Sequence, residues 1–116
     1  MMVDAGPLID ADRINSRLYA LVRRALERGE ELGTTHAVVA QVVRAPARQA
    51  NLLRLLASFD IHALDDGVSV GQRLAQSGTS DVVDAHLAVT AERLGTFVLT
   101  TDVSDMVELD ARYERY

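Results

Sequence analysis

The chain predicts an α/β fold with a mainly parallel sheet, and two features carry that prediction. Strand-sized apolar segments alternate with helical segments along the 116 residues, which is the pattern of βαβ units. The longest apolar runs are themselves strand-sized, so none reads as a transmembrane span. MMVDAGPLID at the start lacks the basic, apolar build of a signal peptide.

Composition bounds the rest. The length suits one domain over residues 1–116, and 48% hydrophobic residues supply a core for it. With no cysteine there is no disulfide framework and no thiolate zinc site. That absence fits a cytoplasmic protein. The net charge of −5 argues against holding nucleic acid by bulk electrostatics, though not against a local basic strip. All twelve basic residues are arginine. Arginine forks suit carboxylate and phosphate, while codon bias explains the same count.

The elements follow in order. Met1 to Asp4 reads as a first strand running into a turn at AGP. Ile14 to Arg28 is an amphipathic helix with Ile14, Leu18, Leu21, Val22, Ala25 and Leu26 on one face. Leu32 to Thr35 is a strand and His36 to Arg44 a helix, broken at Ala45-Pro46. Ala47 to Phe59 reads as one helix burying Leu52, Leu53, Leu55, Leu56 and Phe59. Ile61 to Leu64 is a strand, and Asp65-Asp66 open a helix reaching about Gln76. After a turn at Gly78 to Ser80, a helix spans Asp81 to Leu94 and ends at Gly95. Phe97 to Thr100 is a strand, and Asp102 starts a short helix.

In such a sheet ligands bind beyond the carboxyl ends of the strands. Asp4 and Asp102 lie there, after MMV and FVLTT, and Asp81 and Asp84 lie on the first turn of a helix. Singly, each acid has a plain structural role. Asp81 caps its helix with Asp84 at the third position, Asp102 and Asp105 repeat that spacing, and Asp4 forms a turn. Together, Asp4, Asp84 and Asp102 come from distant parts of the chain to one rim. Carboxylates gathered there repel, so a pKa rises or a cation binds. Hard oxygen donors suit Mg²⁺ or Mn²⁺.

DAGPLI, SDVVDAHLAVTA and FVLTTD, in this order and spacing, resemble a PIN domain, and in particular the VapC-type toxin ribonucleases. The resemblance runs over nearly the whole chain. It implies a three-layer α/β/α sandwich around a sheet of four or five short strands. It implies a Mg²⁺- or Mn²⁺-dependent endoribonuclease with an RNA substrate, a homodimer, and a cognate antitoxin as inhibitor. Carried over by motif, Asp4, Asp84 and Asp102 are the catalytic and metal-binding acids. Asp81 and Asp105 match accessory acids, and Thr100 or Thr101 matches the hydroxyl before the last acid, with Thr101 taken as the accessory residue.

The chain departs from that pattern twice. Gln41, in HAVVAQVVR, stands where the family has a glutamate. It keeps a carbonyl oxygen and loses a charge worth roughly 8 kcal/mol against a divalent ion at ~4 Å and an effective dielectric of ~20, most of it taken back by dehydration. That substitution opens a second reading, a catalytically lapsed module binding an antitoxin or another partner. ARYERY is polar and short, so a fifth strand is expected to be absent or weak.

Arg44 and Arg48 bracket Pro46 and are placed either on RNA phosphate or in surface ion pairs. His36, His62 and His86 lack metal-ligand spacing, and His86 is expected at the surface, at an interface or on the outer rim. With 4% aromatic residues, base stacking is not the main grip on RNA. Receiver domains and haloacid-dehalogenase-like phosphatases need a lysine, and the chain has none.

Overall fold

A computed structural model describes residues 1–13 and 16–116. Its strands are β1 (Met2–Val3), β2 (Gly33–Thr35), β3 (Asp60–His62), β4 (Val98–Thr100) and β5 (Tyr113–Arg115). They form one sheet in the order β3-β2-β1-β4-β5, with every pairing parallel. The helices are α1 (Ala5–Ile9), α2 (Arg17–Glu27), α3 (His36–Val42), α4 (Ala50–Leu56), α5 (Gly67–Ser77), α6 (Val82–Arg93) and α7 (Val103–Glu108). Crossovers run leftward from β1 to β3 and then return to β4. Right-handed connections therefore put α1 to α4 on one face and α5 to α7 on the other. This is the expected α/β/α sandwich.

α6 is the central helix of its layer, packed on β2, β4, α5 and α7. Every residue from Ala85 to Ala91 is buried, so the helix has no polar stripe and is core on all sides. His86 is therefore only 2% exposed, not at the surface, an interface or the rim. Its Nδ1 has no hydrogen-bond partner among the described residues, and burial lowers the imidazole pKa. Gly95 closes the helix region at φ +67°, a conformation that a side chain disfavours.

Several elements differ from expectation. AGPLI is a helix rather than a turn, because Asp4 caps it and Pro7 falls in the first turn, where a missing N–H costs little. The segment expected as one helix from Ala47 is a 3-10 turn, Pro46–Arg48, followed by α4. Gln49 separates the two. Its Oε1 accepts from the N–H groups of Arg44 and Ala45, both at 3.0 Å, and its Nε2 donates to Val42 O at 2.8 Å. Asp12, in the 3-10 turn Asp10–Asp12, then accepts from Asn51 N at 3.0 Å, so a distant carboxylate serves the first turn of α4. Leu53 and Leu26 were expected in the core but are 41% and 52% exposed. The first residue expected on the α2 face, Ile14, lies outside the described residues.

The fifth strand, expected to be absent or weak, does form, as a three-residue edge strand. Its residues are exposed throughout, and it pairs with β4 at Val98↔Tyr113, Leu99↔Glu114 and Thr100↔Arg115. Apolar patterning did not reveal it because the pairing is made by backbone groups at a sheet edge. There, charged side chains are common because they keep other chains from pairing.

Candidate functional site

The carboxyl ends of all the strands point to one rim, and Asp4 sits on it directly after β1. Asp4 is 8% exposed, and both its oxygens are engaged. Oδ1 accepts from Ala5 N at 2.7 Å and Oδ2 from Thr100 Oγ1 at 2.8 Å. The Thr100 oxygen in turn accepts from Asp102 N at 2.9 Å. One buried hydroxyl thus fixes the first acid and the backbone of the last. The hydroxyl that meets Asp4 belongs to Thr100, not to Thr101, which is exposed.

Thr101 has a different neighbour. A Cβ placed on Gly6 would overlap Thr101 Oγ1 and come within 2.9 Å of its Cγ2 and 3.0 Å of its Cβ. Rotating the threonine does not move its Cβ, so Gly6→Ala forces the start of α1 and the end of β4 apart. We expect Gly6→Ala to lower stability by about 1–3 kcal/mol, and Thr101→Gly to restore part of the loss in the double variant. Urea titration of the three variants measures this, and an additive double variant would refute the contact.

Asp84 is half-buried at the start of α6, and Asp81 caps that helix by accepting from Asp84 N at 3.1 Å. The capping pair was legible in the sequence. Its supposed repeat at Asp102 and Asp105 is not a cap. Asp102 makes no side-chain bond to the α7 backbone and instead accepts from Ser104 Oγ at 2.9 Å.

The Asp84 carboxyl has its pKa pushed up to about 7. Burial is the largest cause, followed by the charges of Asp81, Asp4 and Asp105 and a hydrogen bond to Asp105. Asp105 is also raised, by burial first and then by its bond to Asp102. Asp105 thus lies between Asp84 and Asp102 in this network of shifts, acting on the one and acted on by the other. Five acids expected at the site, Asp4, Asp81, Asp84, Asp102 and Asp105, therefore feel one another at one rim.

Among the described residues, no three carboxylate or imidazole groups stand as a ready-made metal cage. The donor set nonetheless fits a hard divalent cation in type and in charge. It is all carboxylate and hydroxyl oxygen, and the crowding that raises the Asp84 pKa is of the kind a cation relieves.

The remaining candidates are not drawn into that network. Gln41 is exposed on α3, the helix packed against α1. Arg44 and Arg48 are exposed in the loop that Gln49 holds, and neither forms an ion pair among the described residues. Sequence reasoning assigned no role to Tyr116, whose hydroxyl donates to Asp10 Oδ2 and whose N–H donates to Thr100 O. Its only signal was an aromatic residue within a polar segment.

No protein-family model matches the chain, and no curated protein matches it. Solved structures do. The fold is the PIN-type α/β/α sandwich, as the sequence resemblance implied. A chain of VapBC2 from Rickettsia felis, bound to a DNA fragment from its promoter, superposes with a TM-score of 0.78 at 14% identity, over 99% of this chain and 97% of that one. A chain of FitAcB from Neisseria gonorrhoeae gives 0.74 at 16% identity, over 97% and 94%. A chain of FitAB bound to an IR36 DNA fragment gives 0.73 at 15%, over 98% and 93%. No helix among the described residues is long and apolar enough to cross a membrane.

Proposed function

We propose that the chain is a cytoplasmic Mg²⁺- or Mn²⁺-dependent endoribonuclease, the toxin of a toxin–antitoxin pair, working as a homodimer. The observation that carries this reading is the acid rim. Burial first, and then the charges of Asp81, Asp4 and Asp105, push the Asp84 pKa up to about 7 at the carboxyl edge of a parallel sheet. The likeness of the fold to toxin–antitoxin complexes supports the biological setting.

A bound Mg²⁺ or Mn²⁺ supplies the charge that makes a water nucleophilic and offsets charge building on phosphate. The chain's own residues prepare for that. Asp4, Asp84 and Asp102 would hold the ion, directly or through water, with Asp81, Asp105 and Gln41 assisting. Thr100 and the Ala5 amide hold the Asp4 carboxyl in place. Asp105 would stand beside Asp84 and assist it in holding the ion. Arg44 and Arg48 offer exposed guanidinium groups for RNA phosphate. An inhibitor suited to this rim carries an arginine or lysine into it by charge-assisted bonds, which is the role we assign to the antitoxin.

Gln41 favours one second reading, a PIN-fold module that binds a partner without cleaving RNA. Calorimetric titration with Mn²⁺ separates the two. We expect binding by the natural chain, loss in Asp84→Asn, and roughly tenfold tighter binding in Gln41→Glu. Asp84→Asn should also abolish toxicity while remaining folded. No binding by the natural chain, with binding gained in Gln41→Glu, would establish the binding module instead. Retained toxicity in Asp84→Asn would remove Asp84 from the site.

A further inference from the structure

We propose that Tyr116 is a positioning residue for the Asp4–Thr100 pair, acting through a closed ring of bonds that joins β5 to the Asp10–Asp12 turn. The proposal rests on the metal-site reading above, and its test separates the two.

The ring can be followed atom by atom. Tyr116 N donates to Thr100 O at 2.8 Å, the bond that ends the β4–β5 ladder. The Tyr116 hydroxyl donates to Asp10 Oδ2. Asp10 caps the end of α1, whose other end is capped by Asp4. Asp4 Oδ2 returns to Thr100 through its hydroxyl. Arg17 covers the ring of Tyr116, with its guanidinium carbon 4.8 Å from the centroid. Asp10 is held in turn by Ser16 Oγ at 3.3 Å and Arg13 Nε at 3.4 Å. Burial and the Asp10 carboxylate both raise the Tyr116 pKa, so the phenol keeps the proton it donates.

The ring has a mechanical purpose. Thr100 ends β4, and Asp102 follows two residues later. β5 is the outermost strand on that side and has no buried residue to hold it. A ladder at a sheet edge frays unless something pins its end. The Tyr116 hydroxyl is that pin, and it fastens to the same helix that Asp4 begins. The spacing between Asp4 and Asp102 is thereby set from outside the acid cluster.

Tyr116→Phe tests this, because it keeps the ring and removes the pin. Tyr113→Phe makes the same chemical change at the other end of β5 and serves as control. The first readout is amide hydrogen exchange without metal. The Asp102 amide, which bonds Thr100 Oγ1, should exchange about tenfold faster in Tyr116→Phe. The Asp60 amide, bonded to Leu32 O at the far edge, should not change. The second readout is Mn²⁺ affinity, which should weaken about three- to tenfold, at or below the ~10–100-fold typical of losing a direct partner of a ligand.

Unchanged Asp102 exchange in Tyr116→Phe would overturn the proposal. So would equal acceleration at Asp60, or the same effect from Tyr113→Phe, since either would mean general loosening. If the natural chain binds no Mn²⁺, the metal reading fails, and the exchange data still decide whether Tyr116 holds the rim.

Discussion

Thr100→Val should destabilise the protein by about 2–4 kcal/mol near neutral pH, although the two side chains have nearly the same shape. The hydroxyl is fully buried and serves two groups. It donates to the Asp4 carboxylate and accepts from the Asp102 amide. Valine leaves both without a partner in a place that water barely reaches. A hydrogen bond to a charged group is worth ~1.5–3 kcal/mol, and a stranded buried amide adds ~1 kcal/mol or more. Thr100→Ser keeps the hydroxyl and should recover most of the loss, less a buried methyl worth about 1 kcal/mol. Urea unfolding of the three proteins at one pH measures this. A valine variant within ~0.5 kcal/mol of the natural chain would mean that the hydroxyl does not hold Asp4 in solution. The loss in valine should exceed that of Thr101→Val, because Thr101 is exposed and makes no such bond.

That contrast between neighbours marks how much of the site was legible in the sequence. The order of strands and helices was readable because apolar periodicity is local. The spacing of Asp81 and Asp84 was readable for the same reason, since a cap and its partner lie within one helical turn. The same spacing at Asp102 and Asp105 misled, because Ser104 competes for the Asp102 oxygen. Which of two adjacent threonines faces Asp4 depends on the direction in which β4 presents alternate side chains, and FVLTTD does not fix that phase. The fifth strand was hidden because backbone bonds and one distant phenol hold it, and neither leaves an apolar pattern. α1 was hidden by its proline, which reads as a breaker unless the capping aspartate before it is recognised. His86 was misplaced because α6 is buried on all sides, and a helix with no polar face gives no phase by which to assign one residue outward.

Asp84→Asn should make the protein more stable in mild alkali and no more stable in acid, the reverse of what losing a paired carboxylate usually does. The sign follows from the direction of the shift. The Asp84 pKa is 3.8 ordinarily and about 7 in the folded chain. Between those values the folded state holds a proton that the unfolded state has released, so stability falls as pH rises through the window. Below it both states are protonated and Asp84 imposes no penalty. Above about pH 7 both are ionised, and the folded state bears the full cost of a carboxylate facing Asp81, Asp4 and Asp105. A shift of this size corresponds to ~4 kcal/mol without screening. Asp84 is only half-buried, so solvent screening reduces the expected effect to about 1–2 kcal/mol. Asparagine removes the charge and with it the slope. Melting curves should therefore show Asp84→Asn above the natural chain near pH ~8 and level with it or below near pH ~4. Parallel pH profiles for the two proteins would refute the raised Asp84 pKa. Mn²⁺ supplies a second arm. An ion that binds only the folded state raises its stability in proportion to the logarithm of its concentration. It should stabilise the natural chain most where Asp84 is ionised and leave Asp84→Asn nearly unmoved, so the curves should converge at pH ~8 as Mn²⁺ is added. Charge repulsion at the rim and cation binding would then be two expressions of one arrangement of carboxylates, with the proton on Asp84 standing in for the ion.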